Sequence, residues 1–241
     1  MVEQKSKKKI IRLEKNTEIH NEWKSQKLNE LADVVKGNGL SKNKISSDGK
    51  YKCILYGELF TKYSTIIKKV FSHTNSFEGT PSKNGDILMP SSTTTKGIDL
   101  ATASALFEEN VLLGGDINII RPKTKKCNSI FLAYYLTYQE KYNIAKISQG
   151  ITIIHIYGKN IKKLEIKIPS LLEQAKIASI RSNVDALMES TQNVIEKTEM
   201  LKKGLAQQLL TKGIGHKKFK KIKWLFRKEI EIPEFLVSYS L

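Results

Sequence analysis

Residues 170–213 constrain what this chain can become more tightly than any other stretch. Ser170 and Glu173 form an S-x-x-E capping box, in which each side chain can satisfy an orphan backbone N–H at a helix start. Pro169 stands just outside and blocks extension backwards, and Gly213 supplies a left-handed stop at the far end. No proline interrupts the segment, and its one interior glycine is Gly204. The span from Leu171 to Lys212 is predicted to be one helix, roughly 63 Å long at ~1.5 Å per residue.

The apolar pattern of that helix is narrow. Ile177, Ile180, Val184, Leu187, Thr191, Val194, Thr198, Leu201, Leu205 and Gln208 step alternately by three and four. This is an a/d heptad seam and not the broader stripe of a helix lying on its own domain. It calls for a partner helix. The two threonines and Gln208 weaken the seam and can set register or partner choice. The alternative is a surface helix folded back on its own domain, which the length disfavours.

The remainder is basic. The 241 residues carry 41 Lys and Arg against 24 Asp and Glu, a formal net charge of +17 that favours a polyanionic partner. With 40% hydrophobic residues the chain can bury a core. Cys53 and Cys127 lack zinc-ligand spacing and read as reduced, structural thiols of a cytosolic protein. No apolar run approaches the ~20 residues of a membrane span, and the N-terminus has no apolar signal region.

Along the chain, residues 1–16 read as a basic arm and residues 17–169 as a mixed domain of short strands and helices. Residues 170–213 are the long helix and residues 214–241 a basic tail. Leu28, Leu31, Ala32, Val34 and Val35 suit a short helix or helical turn ended by Gly37-Asn38-Gly39. Strands are expected at residues 51–56 and 86–90, at 111–121 with a glycine bulge, and at 164–168, which alternates cleanly. Ile130, Phe131, Tyr134, Tyr135 and Tyr138 place a helix over residues 128–142. The fold class is therefore α+β, a globular mixed α/β domain followed by a long coiled-coil-forming helix. Lys212, Lys217, Lys218, Lys220, Lys221, Lys223, Arg227 and Lys228 form a charge run read as a solvated tail or a phosphate contact.

Catalytic chemistry is hard to find. His20, His73, His155 and His216 are scattered, and residues 37–42 lack phosphate-loop spacing. Glu165-Ile166-Lys167 has the E-x-K form of many nucleases, but no Pro-Asp pair lies a short way upstream. No Asn-Pro-Pro-aromatic methyltransferase loop is present. The chain reads as non-catalytic, without a metal or cofactor of its own.

Three stretches carry a family resemblance. Residues 168–178, Ile-Pro-Ser-Leu-Leu-Glu-Gln-Ala-Lys-Ile-Ala, resemble the I-P-x-L-x-E-Q-x-x-I-A signature that opens the conserved helix of type I restriction–modification specificity (S) subunits. Residues 201–211 resemble the signature at that helix's end. Residues 19–28, with Glu22-Trp23, are similar to the opening I-P-x-x-W-x-x-x-x-L, with His20 in place of the proline. Residues 149–164 resemble the close of a target-recognition domain. A complete S subunit has two such domains and two such helices, packed antiparallel as a ruler. This chain has one of each, and Ile232, Ser238 and Leu241 echo Ile19, Ser25 and Leu28 as a second copy would begin. The resemblance therefore implies a half-subunit that dimerises, or an inert truncated fragment.

It also implies that the domain reads one half of a split DNA target. A methyltransferase (M) subunit carrying S-adenosylmethionine would methylate adenine, and a restriction (R) subunit using ATP and Mg would cleave. Base readers are sought in polar loops: Asn38, Ser41, Lys42, Asn43 and Lys44; Ser91, Ser92, Thr93, Thr94 and Lys96; Ser148, Gln149 and Thr152. Each loop is equally compatible with a plain surface. Arg121, Lys123, Lys125 and Lys126 are the phosphate candidates. A non-specific DNA-binding coiled-coil dimer and a metal-dependent nuclease centred on Glu165 are the competing classes.

Overall fold

The computed structural model of the chain describes residues 23–214, 219–223 and 229–233. The N-terminal arm, the opening residues 19–22 and the echo at Ser238 and Leu241 lie outside these. The chain divides into two compact units, the first ending at Ser182 and the second starting at Asn183.

The first unit is built on a five-stranded sheet, in the order Ala32–Lys36, Ile117–Pro122, Asp86–Pro90, Ser104–Leu106 and Ile66–Ile67. Neighbours run antiparallel except the last pair, which is parallel. Both faces are buried. Ile87, Met89, Ala105 and Ile120 join one core with Phe131, Leu132, Leu136 and Ile144. Leu88, Leu106, Ile117 and Ile119 join a second core with Ile54, Val111 and Leu113. Strands covered on both faces are mostly apolar in place of alternating, as in Ile87-Leu88-Met89 and Ile119-Ile120, while the buried polar residues Asp86 and Asn118 are hydrogen-bonded to Arg121 and to Ile156 O. The second core also includes residues of a four-stranded sheet, Ser72–Thr74, Tyr51–Ile54, Leu112–Leu113 and Thr80–Pro81.

Several sequence expectations are corrected. The helix at Leu28 is a single turn, Leu28–Leu31, and residues 32–36 are a strand. Ala32, Val34 and Val35 pair with Pro122, Ile120 and Ile119, and this tertiary pairing overrides the local helical spacing. The bulged strand at 111–121 is two strands in different sheets, Leu112–Leu113 and Ile117–Pro122. The chain crosses between them at Gly114-Gly115-Asp116, where Asp116 takes a left-handed φ of 58°. The helix at 128 is capped by the Asn128 side chain, which accepts from Phe131 N–H at 3.0 Å. It runs through a π-helical turn at Tyr135–Gln139 and resumes as Lys141–Ile147.

The long helix spans Leu171–Lys212 and stops at Gly213, whose φ is 70°. Its capping box is half as expected. Ser170 Oγ accepts from Glu173 N–H at 3.3 Å, whereas the Glu173 carboxylate accepts from the indole of Trp23. Of the seam residues, Ile177 packs against the main core beside buried Ala178, so the free seam begins at Ile180. From there Ile180, Leu187 and Leu201 are more than 60% exposed. Thr191 and Thr198 donate their hydroxyls to the carbonyls of Leu187 and Val194 in their own helix. Neither therefore demands a polar partner across the seam. In the second unit the basic run forms a strand, Phe219–Lys223, antiparallel to Glu229–Pro233, with Lys221 opposite Glu231 and Lys223 opposite Glu229.

Candidate nucleic-acid interface

The three polar loops converge on one end of the central sheet. Asn118 pairs with Lys36 on one side and Met89 on the other, so the chain leaves this end at Gly37 and again at Ser91. Gly37 N–H donates to Ile117 O and Asn38 N–H to Leu113 O. A Cβ on Gly37 would stand 2.0 Å from Gly114 O, so the close approach excludes any side chain. Ser91 N–H donates to Asp116 O at 2.7 Å. The third loop joins by strand pairing, with Ile154 opposite Thr93 and His155 opposite Ser92. Gln149 and His155 exchange backbone hydrogen bonds of 2.8 and 2.7 Å and close the loop 150–154 into a tight tip. Ile151 at that tip is 99% exposed. Ser148 sits against Gly97, where a Cβ would meet its Oγ at 2.7 Å, so loops 91–97 and 148–154 touch.

Within the loops the candidates fare differently. Ser91, Ser92 and Thr93 are buried; Ser91 Oγ donates to Asp116 and Thr93 bonds Thr95. Thr94 and Lys96 are exposed, and the loop beneath them is braced by Asp99, which accepts from Lys96 N–H and from the Thr95 hydroxyl. Gln149 and Thr152 are exposed and Ser148 is half-buried, donating to Ala145 O. Asn38, Ser41, Lys42 and Asn43 are exposed, while Lys44 pairs with Glu78. A recess of about 680 Å3 opens beside loops 91–96 and 148–154, walled by Tyr56, Phe60, Thr95, Asp99 and Ile153.

The four phosphate candidates lie at the opposite end of the sheet, where Pro122 pairs with Ala32. Arg121 turns inward. Its Nε donates to both oxygens of Asp86 at 3.1 and 3.2 Å and its Nη2 to Pro81 O at 2.9 Å. Burial raises the Asp86 carboxyl above its ordinary range, against the opposing pull of Lys83 N–H and Arg121. Lys123 reaches Asn29 O and Asp33, and Lys126 reaches Glu30 O. Lys125 alone of the four is exposed and without such a contact in the described residues. Arg121 is thus spent on holding the fold, because a buried carboxylate needs a paired cation more than a surface phosphate does.

What sequence reading passed over is the set at the loop end: Lys36, Asp116, His155, Tyr157, Lys159 and Lys162. The His155 and Tyr157 rings stack with centroids 6.2 Å apart, and Lys159 lies over the Tyr157 ring. The i, i+3 spacing of Lys159 and Lys162 was the one available signal. Among the described residues, no group of three or more His, Cys, Asp and Glu could hold a metal, and no helix is long and apolar enough to cross a membrane.

This arrangement, a two-core α/β domain whose loops gather at one sheet end and which continues into a long helix, has close parallels among known proteins. Residues 20–200 match the family model described as the type I restriction modification DNA specificity domain, and the chain belongs to that family. It is 31% identical over 245 residues to a Methanocaldococcus jannaschii protein provisionally described as the specificity subunit of the MjaX type I restriction enzyme, covering 90% of this chain and 51% of that protein. It is 35% identical over 117 residues to the MjaVIII type I restriction enzyme specificity subunit of the same organism, covering 48% of this chain and 26% of that protein. The chain thus spans about half the length, or less, of the curated relatives it matches. In fold it resembles the S subunit of a type I restriction–modification system from M. genitalium, with a TM-score of 0.57 at 22% identity, covering 80% of this chain and 46% of that one. It also resembles the HsdS subunit from Thermoanaerobacter tengcongensis, with a TM-score of 0.53 at 17% identity, covering 78% and 44%.

Proposed function

We propose that this chain is a DNA sequence-specificity subunit that reads one half of a split target and directs adenine methylation, and restriction, by partner subunits. The observation that carries the proposal is the family match across residues 20–200, which takes in both the looped domain and more than half of the long helix. The exposed positions Asn38, Thr94, Lys96, Gln149 and Thr152 are the base readers of this proposal, since amide, hydroxyl and ammonium groups match the donors and acceptors of base edges. The chain supplies recognition and no catalytic group. Its M partner binds S-adenosylmethionine and flips the target adenine, and its R partner uses ATP and Mg.

The exposed seam from Ile180 to Gln208 supports a homodimer, in which two-fold symmetry provides the second half-site. The test is to co-express the chain with a type I M subunit from the same genome and map adenine methylation across that genome. A palindromic split motif is the expected result. An asymmetric split motif means that a different half-subunit has joined. Formation of the complex without any methylation overturns the proposal in favour of an inert fragment or non-specific binding.

A further inference from the structure

Lys36, Lys159 and Lys162 border one cavity of about 220 Å3, together with Ser91, Asn118 and Gly158. Lys159 and Lys162 have no carboxylate partner among the described residues. The nearest carboxylate to Lys36 is Asp116, at a loose 3.8 Å. Three lysines bordering one concavity, none with a close carboxylate, give it a positive potential that favours an anion.

The position matters as much as the charge. Lys36 is the last strand residue before loop 37–44, Ser91 opens loop 91–96, and Lys159 follows the 148–157 segment within a few residues. The cavity is therefore at the common root of all three loops. Asn118 forms part of its wall, is fully buried, and donates to Ile156 O at 3.1 Å, so that wall is rigid. Lys159 is held over the Tyr157 ring at 5.9 Å, which itself stacks on His155.

We infer that this cavity seats a backbone phosphate of the DNA duplex through Lys36, Lys159 and Lys162, and so sets the register of the three loops on the base edges. The inference rests on the DNA-recognition reading above. It transfers the phosphate role from residues 121–126 to the opposite end of the sheet. Phosphate contacts position a protein without reading sequence, so the seat anchors and the loops discriminate.

The test is the salt dependence of binding by the full chain to two unrelated DNA duplexes, for the unaltered protein, K159Q/K162Q, K36Q and K125Q. Each neutralised phosphate contributes about 0.9 to the slope of log K against log salt. K159Q/K162Q is expected to lower that slope by up to about 0.9, the share of one phosphate, and to weaken both duplexes equally, with K36Q acting in the same direction and K125Q unchanged. An unaltered slope in K159Q/K162Q, or a loss confined to one duplex, overturns the seat while leaving DNA recognition standing. Failure of the unaltered chain to bind either duplex overturns both.

Discussion

Trp23 Nε1 donates to Glu173 Oε1 at 3.2 Å, tying the first described residue of the domain to the first turn of the long helix, 150 residues on. The next residue completes the joint. Gln174 is 1% exposed, accepts from Asn128 N–H at 2.8 Å, and donates to Pro169 O at 2.9 Å. Arg181, two turns further along, covers Tyr138 at 4.6 Å and Tyr134 at 5.6 Å. Residues 173 and 174 therefore form a joint between helix and domain in this chain.

The joint predicts an order of damage. Q174L strands a buried N–H and a buried carbonyl and should destabilise the domain by ~2–4 kcal/mol. W23F keeps the ring contacts with Phe131 and Tyr135 and should cost only ~1 kcal/mol. Urea unfolding of the two variants measures both, and W23F proving the more damaging would contradict this account.

Arg121 should matter to stability and not to DNA. R121Q leaves the Asp86 carboxylate buried without its cation and should cost ~3–5 kcal/mol at neutral pH. Asp86 already has a raised folded-state pKa, and loss of Arg121 raises it further. A raised folded pKa means stability is lost as pH rises through it, so the deficit should shrink as pH falls. Unfolding curves at neutral and acid pH test this; a deficit independent of pH would argue against it.

The two thiols should be silent in the folded chain. Burial pushes Cys53 up to about 11 and Cys127 to about 12, from an ordinary value near 9. Neither should react with a thiol reagent at pH 8 until denaturant is added. Their contribution to stability is fully present below pH ~9 and is lost as pH rises through the folded values. Thiol titration with and without denaturant, and melting at rising alkaline pH, provide the measurements.

The seam carries the dimer prediction. L187E and L201E each place a charge on the apolar stripe, and the double variant should sediment as a monomer while the domain's melting is unchanged. A dimer that survives both changes would place its interface elsewhere.

A heptad removed from the helix between residues 183 and 212 shortens it by ~10 Å, about three base pairs of duplex. The methylated motif should keep its half-sites and change its spacer. An unchanged spacer would show that the helix is not the ruler.

The long helix was legible in the sequence because its signals are local. Pro169 and Ser170 at one end, Gly213 at the other, and the three–four spacing between them act over a few residues each. The alternation at Glu165–Ile168 was legible for the same reason, since one face of that strand is buried and the other open. The central sheet was less so. Residues 32–36 look helical until Ile119 and Ile120 are seen to pair with them, and the strand at 111–121 looks continuous until Asp116 is seen to carry it from one sheet to another. Charge misled most. Arg121 and Lys159 look alike in a sequence, and only the fold decides that one faces a buried carboxylate while the other lines an open basic cavity. Local pattern determined which residues form the rod; long-range pairing decided which cations are left for a partner, because a side chain's nearest charge is set by the whole chain's path and not by its neighbours in sequence.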